Sequence, residues 1–237
     1  MSAALRDAPD TLTRSVEDYL KAIYRLTQQG GFATTSDIAQ RLAVAPPSVS
    51  GMVKRLSEAG LIEHVPYRGV QLTAQGRRAA LRTLRRHRIV EVYLMRFLAY
   101  DWDSVHDEAE RLEHAVSDEL IARMARAVGD PAYDPHGAPI PTAEGDIEEA
   151  ELPVLADVPI GATVVLRQVS DDNPAVLRYL AAQGLVPGTR LSITGRQPFN
   201  GPTIVAVGGR ERVVGRDLAT TLRCQLLPPE RATEDAI

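Results

Sequence analysis

A chain of 237 residues, 44% hydrophobic and 24% charged, is long enough for more than one domain with its own core and has the make-up of an ordinary globular protein. Its one cysteine, Cys224, excludes an intramolecular disulfide framework; no apolar run approaches a membrane span, and the opening MSAALRDAPD lacks the basic-then-apolar order of a secretory signal, so a cytoplasmic protein without a membrane partner is expected. The net charge of −4 divides unevenly, with 15 Lys+Arg against 8 Asp+Glu in residues 1–98 and 12 against 23 in residues 99–237, and a basic front half on an acidic chain is the electrostatic footprint of a DNA-binding module.

Residues 1–73 alternate short helical patterns with turn signals. Thr35 or Ser36 can cap a helix through Asp37-Ile38-Ala39-Gln40-Arg41-Leu42, and Ala43-Val44-Ala45 makes a short turn. Pro46-Pro47-Ser48 then opens a second helix, because proline's fixed φ suits a first turn. Val49, Met52, Val53 and Leu56 fall at i, i+3, i+4 and i+7 and face a core, so Ser48, Ser50, Gly51, Lys54 and Arg55 face outward. Gly60 ends that helix, and Leu61–Val65, a Tyr67-Arg68-Gly69 turn and Val70–Thr73 read as a two-stranded hairpin.

Two short helices about a tight turn, followed by a hairpin, make a helix-turn-helix with a wing. The second helix has a small, hydroxyl-rich start that can approach base edges, at Pro47, Ser48 and Ser50, with Thr35 beside it. Lys54 can reach a phosphate, and Arg68 at the wing tip is a backbone or minor-groove contact. A winged helix can also serve protein contacts; the basic balance and the exposed Ser/Lys face favour DNA.

Residues 74–128 are almost free of Gly and Pro and read as long helices. Within SVHDEAERLEHAVSDELIARMAR, residues 104–126 taken as one helix, His106, Glu110, Glu113 and His114 stand at i, i+4, i+7 and i+8 on one stripe, bordered by an apolar stripe of Leu112, Val116 and Leu120. On the preceding helix His87 and Glu91 are an i, i+4 pair that can chelate one cation. Three histidines out of five, with three glutamates on consecutive helices, form a candidate metal constellation. His106-Asp107 also allows the doublet of a metal-dependent phosphohydrolase, but no Gly-rich phosphate loop or activated Ser or Cys nucleophile accompanies it.

Residues 129–160 are rich in Pro, Gly and acid and read as a linker, with His136 a loop residue. From 161 to 228 short β-rich runs, TVVLRQV, TRLSITGR, TIVAV and ERVVG, surround one short helix, so a small SH3-like barrel is expected. Cys224 reads as a buried strand residue. The expected fold is mainly α with a small β-barrel: a winged helix over 1–73, a helical dimerisation and metal-binding domain over 74–128, a linker over 129–160 and the SH3-like domain over 161–228.

Several long motifs in order, SVEDYLKAIYRL, the winged helix, RRHRIVEVYL, WDSVHDEAERLEHAVSDEL and PHGAPIP, together resemble the diphtheria toxin repressor and manganese transport regulator family of metal-activated repressors. The resemblance covers nearly the whole chain and implies a primary metal site on Asp18, Glu110, Glu113 and His114. It implies an ancillary site on His87, Glu91 and His106, with Asp171 from the acidic turn of the SH3-like domain as a further ligand. Base-contacting positions fall near Pro47, Ser48 and Ser50.

The iron-responsive branch of that family has Met and Cys where Asp18 and Glu110 stand. Carboxylates in place of sulfur harden the site, which favours Mn²⁺, with Fe²⁺ the alternative, at two sites per subunit. Some manganese-type members carry a carboxylate where this chain has Lys21. The resemblance also implies a homodimer on a palindromic double-stranded operator, joined through Ile89, Val92, Tyr93, Leu94, Phe97 and Leu98, residues that could otherwise fill a monomer core. The expected function is a manganese-activated repressor of metal-uptake genes; an iron(II)-activated repressor, or a winged-helix regulator with an organic effector, is the alternative. Without a cation the converging carboxylates are expected to repel one another.

Overall fold

A computed structural model describes residues 12–28, 30–170 and 173–228. The chain divides into two compact units, one of Met1–His87, Arg111–Ile121 and Pro141–Ile147, the other of Arg88–Glu110, Ala122–Ile140 and Glu148–Ile237.

In the first unit, α1 (Arg14–Thr27), α2 (Thr35–Leu42) and α3 (Pro46–Glu58) precede a hairpin of β1 (Ile62–Val65) and β2 (Gly69–Leu72), paired from Ile62↔Leu72 to Val65↔Gly69. Leu20, Ile23, Ile38, Val49, Leu56 and Val70 fill one core. The outward-facing set on α3 is as the periodicity predicts. The cap of α2 is Thr34, not Thr35 or Ser36: its hydroxyl accepts from the Asp37 N–H while the Asp37 carboxylate accepts from the Thr34 N–H, a reciprocal capping box. Helix α4 (Ala74–Leu98) follows the wing. Its start is fixed by Gly76, where a Cβ would lie 1.9 Å from the Leu61 carbonyl oxygen.

The helix expected over 104–126 is two helices, α5 (Val105–Leu112) and α6 (Asp118–Ala127). Ser117 restarts the chain, its hydroxyl accepting the Leu120 N–H, with Asp118 and Glu119 complementing the positive end of α6. Glu113 and His114 therefore stand in the intervening turn, not on the stripe of His106 and Glu110. Leu120 is exposed, so the apolar stripe expected beside them does not continue into α6. What α5 buries is Val105 and Ala109.

In the second unit, β3 (Thr163–Gln168), β4 (Arg190–Arg196), β5 (Thr203–Val207), β6 (Arg210–Val214) and β7 (Arg223–Leu226) form one antiparallel sheet in the order β6-β5-β4-β3-β7, with α7 (Pro174–Ala182) after β3 and α8 (Arg216–Ala219) before β7. The expected barrel is not closed. Irregularities at Leu166/Gln168 and Ile193/Gly195 bend the sheet, but β6 and β7 remain its two edges and do not pair. Leu155, Ala156 and Val158, from a short 3-10 turn ahead of β3, join Leu166, Leu177 and Ile193 in this core. Cys224 is buried there, and burial pushes its thiol up to about 12, which makes it inert. No described helix is long and apolar enough to cross a membrane.

Candidate metal centre

Helix α1 and the turn after α5 build the first cluster, wholly within the first unit. His114 Nε2 lies 2.9 Å from Asp18 Oδ1 and 3.2 Å from Glu113 Oε1, while its Nδ1 lies 2.6 Å from Glu17 Oε2. Ligand atoms of Asp18, Glu113 and His114 all fall within 4.8 Å of one another. Burial lowers the His114 pKa, but hydrogen bonds to Asp18 and Glu17 and the charges of Glu113 and Asp18 outweigh it and raise it to about 9. The imidazole is thus a cation here, sandwiched between carboxylates.

The carboxylates do not stand unscreened, as the sequence led us to expect. Glu113, fully buried, has Oε1 2.5 Å from Lys21 Nζ and Oε2 2.6 Å from His87 Nδ1. Arg86 Nη1 donates to Glu17 Oε1 at 3.1 Å and reaches Asp118 as well. The cluster carries its own cations, and repulsion among its acids is offset within the fold. Glu17 and Lys21, which have no place in the expected ligand set, are both buried parts of it.

In the second unit, Glu91 is buried against two histidines: His106 Nδ1 lies 3.4 Å and His136 Nδ1 3.9 Å from Glu91 Oε1. Glu110 Oε1 is 3.7 Å from His106 Nε2, so the side chain expected in the primary set lies on α5 beside His106. His87, one turn before Glu91 on α4, is held on Glu113. Asp171 lies outside the described residues.

Glu91, Asp134 and His136 form a cluster that the sequence did not reveal, all three buried, with ligand atoms within 4.8 Å of one another. His136 Nε2 donates to the Trp102 carbonyl at 3.0 Å, and the two rings stack. A carbonyl only accepts, so in the neutral ring Nδ1 keeps its lone pair; that atom is buried without a hydrogen bond and is turned toward the two carboxylates. Asp134 Oδ1 accepts from the backbone N–H groups of His136 and Ala138, and Oδ2 lies 3.3 Å from Arg88 Nε. Gly137, at φ +86°, lets this loop close, since a Cβ there would sit 1.8 Å from the Arg167 carbonyl oxygen. In the sequence His136 stands in a stretch whose composition reads as linker, and the one other signal there is the motif PHGAPIP that it shares with the resembled family.

In the winged helix, Thr35, Pro47, Ser48, Ser50 and Lys54 are all exposed. Thr35, Ser50 and Lys54 line a shallow cleft with Ser57, Glu58 and His64. Arg68 lies over the Phe32 ring, 4.3 Å from its centroid, and the wing tip itself is Tyr67, fully exposed at φ +65°.

Residues 11–70 match the family described as iron dependent repressor, N-terminal DNA binding domain, and residues 73–142 the family described as iron dependent repressor, metal binding and dimerisation domain. The chain is also 31% identical over 226 residues to the iron-dependent repressor IdeR of Mycobacterium tuberculosis, covering 90% of this chain and 98% of that protein. The chain belongs to the diphtheria toxin repressor family. Its members are transcriptional repressors, so the phosphohydrolase reading of His106-Asp107 falls away, and this family member is a metal-dependent DNA-binding repressor and not an enzyme.

The diphtheria toxin repressor of Corynebacterium glutamicum is 32% identical over 231 residues, covering 93% of this chain and 98% of that protein. A manganese-dependent transcriptional repressor in complex with manganese superposes with a TM-score of 0.84 at 38% identity, covering 90% of this chain and all of that one. The crystal structure of T. acidophilum IdeR gives 0.76 at 30% identity, covering 94% of this chain and all of that one. Residues 154–226 match the FeoA domain, so this repressor carries a C-terminal sheet domain of FeoA type.

Proposed function

We propose that this repressor is activated by Mn²⁺ and, as a homodimer, closes palindromic operators of metal-uptake genes. Convergence of Asp18, Glu113 and His114 on one point carries this reading. The donors are two carboxylates and an imidazole, with no sulfur, and oxygen-rich sets suit Mn²⁺ more than softer ions. The one cysteine is sequestered in the sheet. His114 Nε2 faces both carboxylates, 2.9 Å from Asp18 Oδ1 and 3.2 Å from Glu113 Oε1, and without its proton this nitrogen fits a cation site with them. Fe²⁺ is the alternative effector, since relatives named for iron and for manganese both match.

Asp18 belongs to the helix that packs on the DNA-binding helices, and Glu113 with His114 to the turn that opens α6. A bound divalent ion supplies the charge and the bonds that tie these two segments together. With its Nε2 proton released to solvent, His114 would offer that nitrogen, Glu17 would keep the ring oriented from Nδ1, and Asp18 and Glu113 would hold the ion with it. The population then shifts toward one arrangement of α3 for DNA. Glu110, which the family resemblance implies for this set, lies beside His106 in the second unit.

The second site per subunit centres on Glu91, with Asp134 and His136 and with His106 beside it. Ser48, Ser50 and Pro47 at the start of α3 are the base-contacting positions, Thr35 and Lys54 flank them, and Arg68 steadies the wing. Dimerisation uses the end of α4, where Phe97 and Leu98 are exposed and Tyr93 packs on Phe97.

The test is binding of the purified protein to its own upstream DNA at fixed salt, with Mn²⁺, with anaerobic Fe²⁺ and with chelator. Binding that requires metal and is tightest per free ion with Mn²⁺ supports the proposal. Equal binding in chelator contradicts it.

A further inference from the structure

Among the groups around Asp18, Glu113 and His114, one cation belongs to no expected ligand set and cannot itself bind a metal. Lys21 is buried, its side chain 7% exposed, and its ammonium lies 2.5 Å from Oε1 of Glu113, the same oxygen that lies 3.2 Å from His114 Nε2. Glu113 Oε2 is taken by His87. The oxygen that faces the metal-ligand atoms is therefore already engaged by a positive charge of the protein.

The choice of lysine is itself informative. Lys21 is one of only two lysines in a chain with 27 Lys+Arg, the other being Lys54 on the exposed face of α3. Arginine is this chain's usual cation and is the better residue for a permanent buried pair, because its planar fork holds a carboxylate through two bonds. An ammonium is a point charge on a flexible stem, able to release one oxygen and move to another acceptor.

We infer that Lys21 is a resident counter-ion that competes with the metal for Glu113, and so sets the metal concentration at which the repressor switches. This inference rests on Asp18, Glu113 and His114 holding the regulatory cation. With no metal, Lys21 neutralises Glu113 and keeps the cluster assembled. On metal binding its ammonium must leave Oε1 or remain beside a divalent ion, and either outcome costs affinity. The site is thereby kept weaker than its donors alone would make it, which moves the switching midpoint to a higher metal concentration.

The test is Mn²⁺ binding to the full chain by calorimetry or competition with a chelator dye, without DNA. Lys21→Met, which keeps the length of the stem and removes the charge, is expected to tighten the affected site by about tenfold or more, as loss of a competing buried charge requires. Lys21→Arg keeps the charge and holds the carboxylate through two bonds, so it is expected to bind Mn²⁺ no tighter than wild type, and affinity at the second site is expected to be unchanged in both variants. Unchanged or weaker binding by folded Lys21→Met overturns the inference.

A measurement on the unaltered protein guards against a variant that does not fold. With ¹³C-lysine labelling only two side-chain Cε signals arise, and enough diamagnetic Zn²⁺ to fill both sites is expected to move that of Lys21 and leave that of Lys54 in place. A stationary Lys21 signal overturns the inference. Asp18→Asn separates the two levels: if it leaves Mn²⁺ binding intact, the site assignment itself fails and this inference with it. If it weakens binding while Lys21→Met does not tighten it, only the role of Lys21 fails.

Discussion

Glu17 Oε2 accepts the Nδ1–H of His114 at 2.6 Å, and so a residue with no expected ligand role decides which nitrogen of that histidine faces Asp18 and Glu113. A carboxylate behind a ligand histidine fixes the ring and raises its basicity, and losing such a partner costs about 10–100-fold in metal affinity. Glu17→Gln is therefore expected to weaken Mn²⁺ binding by roughly that factor. Calorimetric titration of wild type and variant checks it, and equal affinities would remove Glu17 from the site.

His114 gives a pH dependence of definite sign. Its pKa rises from 6.5 to about 9, so the metal-free protein carries a proton there at neutral pH, and a metal at Nε2 must displace it. Mn²⁺ affinity is expected to rise with pH below about 9, by up to about tenfold per pH unit. For the metal-free fold the sign is opposite. The stabilisation from the charged histidine is fully present below 6.5 and is lost as pH climbs through about 9. Melting temperatures without metal should fall between neutral pH and pH above 9, and His114→Gln should flatten that decline.

His136 offers a buried nitrogen to Glu91 and Asp134 and is held by the Trp102 carbonyl. His136→Ala is expected to lower the bound Mn²⁺ from two equivalents per chain to one while leaving the site at Asp18 occupied. Stoichiometry by equilibrium dialysis decides it; two equivalents in the variant would place the second ion elsewhere.

Gly137 tests the same loop through its backbone. Its φ is +86°, and the Arg167 carbonyl oxygen stands 1.8 Å from where a Cβ would lie, which leaves no room for alanine. Gly137→Ala is expected to destabilise the second unit by at least about 1–3 kcal/mol, the usual cost of a forced backbone, and to weaken the second metal site with it. A denaturant melt that matches wild type would contradict this.

Lys54 and Arg68 separate the DNA contacts. Lys54 is exposed beside Ser50, so Lys54→Ala is expected to weaken binding across sequences and to reduce the slope of log affinity against log salt by about one. Arg68 packs on Phe32, and Arg68→Ala should cost wing stability as well as DNA affinity. An unchanged salt slope in Lys54→Ala would remove it from the phosphate contacts.

The winged helix was legible because its signals are local: Val49, Met52, Val53 and Leu56 mark one face of α3, and Gly60 marks its end. The break at Ser117 was not, since an i, i+7 pattern runs equally well through one helix or two, and only the bond from the Leu120 N–H to Ser117 reveals the restart. The SH3-like sheet could be read from its β-rich runs, but whether its edges meet depends on long-range pairing of β6 and β7 that no local pattern encodes. In the metal centre, residue types at helical spacing pointed to Glu113 and His114, and the family resemblance to Asp18. Lys21 and Glu17 could not be foreseen as their partners, because a charged residue on a helix is ordinarily solvated and only tertiary packing buries these two. His136 was hidden by its loop: what makes it a candidate ligand is a bond to the Trp102 carbonyl, 34 positions away.

Energetic coupling between the Asp18–Glu113–His114 site and DNA is what makes a metal-binding protein a metal-dependent switch, and coupling is reciprocal. The most direct measurement is Mn²⁺ affinity with and without saturating operator DNA, at one pH and salt. If metal ties α1 to the turn after α5 and so favours the DNA-competent arrangement, operator DNA must tighten Mn²⁺ binding by the same factor by which Mn²⁺ tightens DNA binding, about 5–150-fold for typical allosteric coupling. The same Mn²⁺ affinity with and without DNA would contradict it.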